Sequence, residues 1–186
     1  RRSANTSLLS LAILAALSAP VLAQEAGAQV KVDGVIDPAE WQGARHVTDF
    51  RMVQPFTQAA TRHPNGAWIL ATPEGLAVAF RNTKLPGIET PRQRSRRDED
   101  VGIDRVNVML DFEGVGRSGY DFTLSASDGI QDSTITSGGN FSADWDGSWQ
   151  HAVVDGDGEW TAKLLIPWHT APMKTARGDK RPVAIY

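Results

Sequence analysis

The sequence predicts an all-β fold, an antiparallel two-sheet β-sandwich of jelly-roll or immunoglobulin-like form, with a helical signal segment at its N-terminus. Three observations predict it. Beyond residue 23 no segment sustains helical periodicity, short runs alternate apolar and polar residues, and clusters of Gly, Asp, Asn and Pro separate the runs. A parallel sheet would need crossover helices, for which the chain offers no candidate segment.

The first element is the signal. Arg1 and Arg2 precede the low-polarity run Leu8 to Leu17, and Pro20 then breaks it before Val21 and Ala23, which flank Leu22. A basic start, a short apolar stretch and small residues at a cleavage point make residues 1–23 an export signal. The run is ten residues long, against the roughly 18 or more that cross a bilayer as a helix. Periplasm, outer membrane or the extracellular space is the expected destination. Cleavage after Ala23 leaves 163 residues, the size of one domain with a sizeable core. The domain is expected at 24–186 and to be truncated at its C-terminus, since the chain starts with Arg and stops at Pro182 to Tyr186 on an apolar run without a closing turn. Loss of Arg1 and Arg2 leaves 17 basic groups against 22 acids, a net charge of −5, which does not attract nucleic acid. With no Cys to form disulfides, stability must come from the core or from bound ions.

The strands follow from alternation. Leu76, Val78 and Phe80 face one way while Ala77, Ala79 and Arg81 face the other, and Val106, Val108 and Leu110 repeat the pattern against Asn107, Met109 and Asp111. Tyr120, Phe122 and Leu124 continue it. So do Trp160, Ala162, Leu164 and Ile166, stopping at Pro167, which cannot donate to a ladder. Such strands are half-buried, with one face in the core throughout. Asp33-Gly34, Asp128-Gly129, Asp155-Gly156 and Asp157-Gly158 supply turns, and Pro38 to Gly43 suits one helical turn. Seven or eight strands result. Two stretches break the rhythm, Pro86 to Gly102 and Ser137 to Ser148, and long irregular loops on a rigid sandwich are where binding residues gather.

Five segments in order carry a resemblance. They are Val32-Asp33-Gly34-Val35-Ile36-Asp37 with Glu40-Trp41; Arg97-Asp98 ahead of Asp104-Arg105-Val106; Gly119-Tyr120-Asp121-Phe122 with Asp128-Gly129; Asp144-Trp145-Asp146 with Trp149; and Trp160-Thr161-Ala162 leading to Ile166-Pro167. Together they resemble carbohydrate-binding module family nine and the similar N-terminal domain of bacterial outer-membrane-barrel proteins. The resemblance spans most of the mature chain. It implies a sandwich that binds sugars, often with structural calcium, joined to a glycoside hydrolase or an outer-membrane barrel. The chain departs from the pattern at Lys163, where such domains commonly carry Glu, and at Ala71-Thr72-Pro73, where a Tyr-Asp pair commonly stands.

The residue chemistry points the same way. Six Trp is a high number for this length, and exposed indole faces grip pyranose rings, whose C–H faces are apolar while their hydroxyls need polar partners. Trp145 and Trp149 are the candidates, in or beside a loop where Asp144, Asp146, Asn140 and Gln150 supply hydrogen-bonding groups. The alternative reading of the two indoles is that they plug the end of the sandwich. Trp160 belongs to the core by its phase, Trp41 staples the first strand to the core, and Trp68 and Trp168 are left open.

Calcium takes six to eight hard oxygens. The densest oxygen cluster is Asp98, Glu99, Asp100 and Asp104, of which Asp98, Asp100 and Asp104 are the candidate ligands for a structural Ca2+. Arg92, Arg94, Arg96 and Arg97 lie just upstream, and a solvated charge run with arginines pairing those acids is the competing reading. Asp155-Gly156-Asp157-Gly158 is not an EF-hand loop, because Ile166 holds the position that requires a bidentate Glu.

No catalytic motif stands out. The four His, at 46, 63, 151 and 169, lack metal-ligand spacing, and neither a nucleophile elbow nor a phosphate-binding Gly loop appears. The expectation is therefore a module that is not itself an enzyme and that binds an oligo- or polysaccharide, while the full-length parent hydrolyses glycosidic bonds or sits in the outer membrane. The competing expectation is a structural domain packing on a C-terminal barrel of the same chain.

Overall fold

The computed structural model describes residues 29–87, 89, 91, 93–173 and 182–186. The expected signal at 1–23 lies outside them. Ten strands form: β1 (Arg45–Val47), β2 (Asn65–Ala71), β3 (Gly75–Thr83), β4 (Arg105–Asp111), β5 (Gly119–Ser125), β6 (Ile130–Thr136), β7 (Asn140–Ser142), β8 (Gln150–Asp155), β9 (Glu159–Pro167) and β10 (Ala184–Ile185). They pair antiparallel in two five-stranded sheets, ordered β1-β2-β3-β9-β8 and β10-β4-β5-β6-β7. No helix forms among the described residues, and the fold is the predicted all-β sandwich.

The alternation places the core as expected. Val78 and Phe80 of β3, Trp160, Ala162, Leu164 and Ile166 of β9, Val108 and Leu110 of β4, and Phe122 and Leu124 of β5 meet in one buried cluster between the sheets. Each fully buried aliphatic or aromatic side chain removes apolar area from water, a gain of about 1.5–3 kcal/mol apiece. The turns also do their work. Asp128 takes the left-handed conformation between β5 and β6 (φ +67°), and Gly158 (φ +76°) turns β8 into β9. Within the second long loop, β7 pairs with Thr134–Thr136 and extends the sheet.

Two expectations need correction. The strands of the first sheet are not half-buried, because Ala77 and Ala79 on the outer face of β3 are fully buried too. Val30 and Trp41, with Leu165 of β9, pack over them as a second cluster. Residues 29–44 thus cover that face, and two Ala let the covering chain approach closely. The region around Val32 to Ile36 forms no strand, and Pro38 to Gly43 forms successive turns instead of a helical turn, with Glu40 N–H donating to Asp37 O and Trp41 N–H to Pro38 O. Gly34 fits only as glycine, since its φ is +77° and a Cβ would meet the Val153–Val154 backbone at about 3.0 Å.

Lys163 of β9 anchors this cover. Its side chain is 1% exposed, and Nζ donates to Lys31 O (3.0 Å), Asp33 Oδ1 (3.1 Å) and Glu40 Oε2 (2.5 Å). A buried ammonium with all three donors used is tolerated where an unpaired one is not. The Asp33 carboxyl is held below its usual range by the Val35 N–H and then by Lys163.

Candidate functional site

Phe122 pairs with Asp132 across β5 and β6, so Asp132 projects to the core side of its sheet. Its side chain is wholly buried. Four groups satisfy it. Arg97 Nε donates to Oδ1 (2.8 Å) and Arg97 Nη2 to Oδ2, Gly147 N–H donates to Oδ2 (2.7 Å), and Trp149 Nε1–H donates to the same oxygen (3.1 Å). Arg97 also donates to Gly147 O (2.8 Å) and pairs with Asp146 (3.0 Å). The bidentate fork fixes the arginine in one orientation. The bond to Asp132 raises the guanidinium above its ordinary range despite the opposing cost of its partial burial, and the charges of Asp132, Asp146 and Asp98 add to the rise. Asp98 closes the ring by accepting the Asp132 backbone N–H at 2.9 Å.

This lock sets the two indoles. Trp145 packs on Tyr120 (ring centroids 4.8 Å apart) and edge-on to Phe122 (6.0 Å), while Trp149 packs edge-on to Phe122 (5.6 Å) and beside His151 (5.3 Å). Both are half-buried and rest against the core between the sheets. Gly147 lets the loop close this tightly, because a Cβ there would stand 2.6 Å from Trp145 and 3.0 Å from Asp132. The rings therefore seal one edge of the sandwich and still present surface to solvent.

The polar candidates divide. Asp144 and Asp146 are exposed beside the indoles, Asp144 accepting from Ser142 Oγ (3.1 Å) and Asp146 pairing with Arg97. Asn140 sits at the β6–β7 turn, where its carbonyl accepts the Thr136 hydroxyl. Gln150 opposes Leu165 and His151 opposes Leu164, so Gln150 points to the face of β8 away from Trp149 and His151. Sequence reasoning missed Asp132. Its signal was an acid at the core-facing phase of a strand, which demands a buried counter-charge.

The three candidate calcium ligands do not gather. Asp100 accepts the Gly102 N–H (2.9 Å) and pairs with Arg105 (2.9 Å), so its carboxyl lies below the usual range; Asp104 is exposed. The carboxylates that converge, with oxygens within 4.8 Å of one another, are Asp98, Asp132 and Asp146. Arg97 already supplies a cation to two of them, so the set as arranged suits a guanidinium and does not fit a calcium ion.

The remaining tryptophans are engaged elsewhere. Trp160 and Trp41 are buried, and Trp68 stacks on His46 at 4.4 Å with the Arg81 guanidinium 5.5 Å from its ring. Trp168 donates Nε1–H to Thr72 O at 2.9 Å.

No protein-family model matches the chain, and no curated protein matches it significantly. Among solved structures it is similar to a carbohydrate binding module family 9 from Caldicellulosiruptor kristjanssonii in complex with glucose. That likeness has a TM-score of 0.49 and 12% identity, and covers 84% of this chain and 71% of the other.

Proposed function

We propose that this chain is an exported, non-catalytic carbohydrate-binding module that takes an oligo- or polysaccharide at the sandwich edge formed by Trp145 and Trp149. The observation that carries the reading is the pair of half-exposed indoles held in fixed orientation by the Asp132–Arg97 lock, with the exposed carboxylates of Asp144 and Asp146 beside them. An aromatic surface for the apolar face of a sugar ring next to acceptors for its hydroxyls is the chemistry such recognition uses. Rings already immobilised lose little further freedom on binding. In the parent protein the module brings its partner, a glycan-degrading enzyme or an outer-membrane protein, to the saccharide.

Isothermal titration against a panel of soluble plant and bacterial oligosaccharides tests this. Saturable heat is expected for at least one, weakened roughly tenfold or more in Trp145→Ala, in line with the loss of one stacking contact. Asp144→Ala serves as the second variant, since it removes an exposed acceptor without opening the core. An empty panel for the folded wild type overturns the reading, and so does unchanged affinity in both variants.

A further inference from the structure

The connection from β1 to β2 rises into a small hairpin. Arg51 bridges Ala60, Met52 N–H donates to Ala59 O (2.9 Å), Gln58 N–H to Met52 O (3.0 Å) and Thr57 N–H to Pro55 O (2.7 Å). These bonds hold up a tip of Val53, Gln54, Pro55 and Phe56, all exposed, with Val53 at 71% and Phe56 at 75%. A single apolar side chain on a surface is ordinary, but two large ones raised together on a bonded turn mark a contact site. The charge around the tip also differs from the rest of the molecule. Residues 44–73 hold Arg45, Arg51 and Arg62 against Asp49, a net +2, whereas the whole chain carries −3. Arg51 pairs with Asp49, while Arg45 and Arg62 are exposed and have no ion pair among the described residues.

We propose that this tip anchors the domain to an anionic phospholipid bilayer, with Val53, Pro55 and Phe56 entering the interface and Arg51 and Arg62, at the hairpin base, meeting the lipid phosphates. Three observations select that occupant. The region is basic on an otherwise acidic molecule, so an anionic surface attracts this end and repels the rest. A stable protein interface buries about 800 Å² on each partner, and a tip of four residues offers a fraction of that, whereas lipids rearrange around any protrusion. The hairpin also bonds part of its own backbone, which lowers the cost of leaving water. Apolar side chains in front with long cationic ones behind them are the order in which an interfacial anchor enters a bilayer. β1 and β8 are opposite edges of the first sheet, so the tip lies away from the indole edge and the inference stands whether or not the saccharide reading holds.

The test exploits the absence of Cys. Gln54→Cys at the tip and Glu74→Cys at the other end of β2 each take one environment-sensitive fluorophore, and each chain is titrated with vesicles of phosphatidylcholine alone or mixed equally with phosphatidylglycerol. The tip label is expected to shift to the blue on the mixed vesicles while the Glu74 label does not. Adding Phe56→Ser to the tip-labelled chain should raise the lipid concentration at half-saturation by roughly tenfold or more, and Arg62→Gln by about fivefold. Both side chains are exposed, so neither change disturbs the core. No shift of the tip label on mixed vesicles, equal shifts at the two positions, or a half-saturation that Phe56→Ser leaves unchanged overturns the proposal. A tip-label shift that grows with protein concentration in the absence of vesicles would mean that the tip meets another copy of the chain, and overturns it as well.

Discussion

Lys163 and Asp132 are both buried charges, one on each sheet, and both are neutralised by a segment that is not a strand. The arrangements differ in what they leave open. Lys163 lies under the residue 29–44 cover at 1% exposure, its counter-charges drawn in from Asp33 and Glu40. Asp132 is equally buried, but its partner Arg97 is 32% exposed and passes the charge outward to Asp146, which is 70% exposed. The first arrangement fastens a lid to a sheet, with Glu40 12% and Asp33 49% exposed. The second reaches the surface and orients two aromatic rings there. A buried charge thus marks a lock in both cases, and what its partners hold in place, a cover over a buried sheet face or two half-exposed rings, separates fastening from site-building.

The widest break in this comparison comes from removing Asp132. Asp132→Ala strips the acceptor from Arg97, Gly147 and Trp149 together, and breaking a buried pair from one side costs about 3–5 kcal/mol. Denaturant unfolding measures the loss. Asp132→Asn keeps shape while discarding charge, so saccharide affinity in that folded variant should fall even where the fold survives. Affinity equal to wild type would show that the lock does not orient the indoles.

Lys163→Met ranks next, at about 1–3 kcal/mol, because Met refills the space while Asp33, 49% exposed, turns back to water. Here the comparison predicts the opposite signature: reduced stability, faster proteolysis within residues 29–44, and saccharide affinity unaltered. A lost affinity with an intact cover would contradict the division of labour.

How much of this the sequence carries follows from where periodicity operates. The core strands were legible because Leu76, Val78 and Phe80, like Trp160 through Ile166, repeat every second residue, and a ladder enforces that period. The cover was not, because residues 29–44 have no period and Ala77 and Ala79 look the same in sequence whether open or covered. Trp145 and Trp149 were found by type, and their packing against Phe122 satisfies the sandwich-plug reading in part without closing off the rings. Gln150 was grouped with Trp149 by adjacency, yet neighbours in a strand point to opposite faces. Asp98 was picked for calcium from a dense acidic run, but the partners it meets, Asp132 and Arg97 among them, were set by strand pairing across 34 residues, which composition does not report.

The smallest effect sharpens the comparison with a third buried charge that has no cation bonded to it. Asp121 of β5 is 8% exposed and held by Asn107 Nδ2 (2.6 Å) and the Thr123 hydroxyl (3.1 Å), both neutral. Burial pushes its carboxyl above the usual aspartate value of 3.8, with the two hydrogen bonds and the charge of Arg105 opposing. A folded-state value above the unfolded one means that the native protein holds the proton more tightly. Its contribution to stability is therefore complete below the unfolded value and is lost as pH rises through the folded one. Asp121→Asn keeps the hydrogen-bond acceptor without the charge, so the melting temperature of the variant relative to wild type should climb as pH rises through that acidic window and then level off. A difference that stays flat, or that shrinks with rising pH, would mean that Arg105 compensates the Asp121 charge after all.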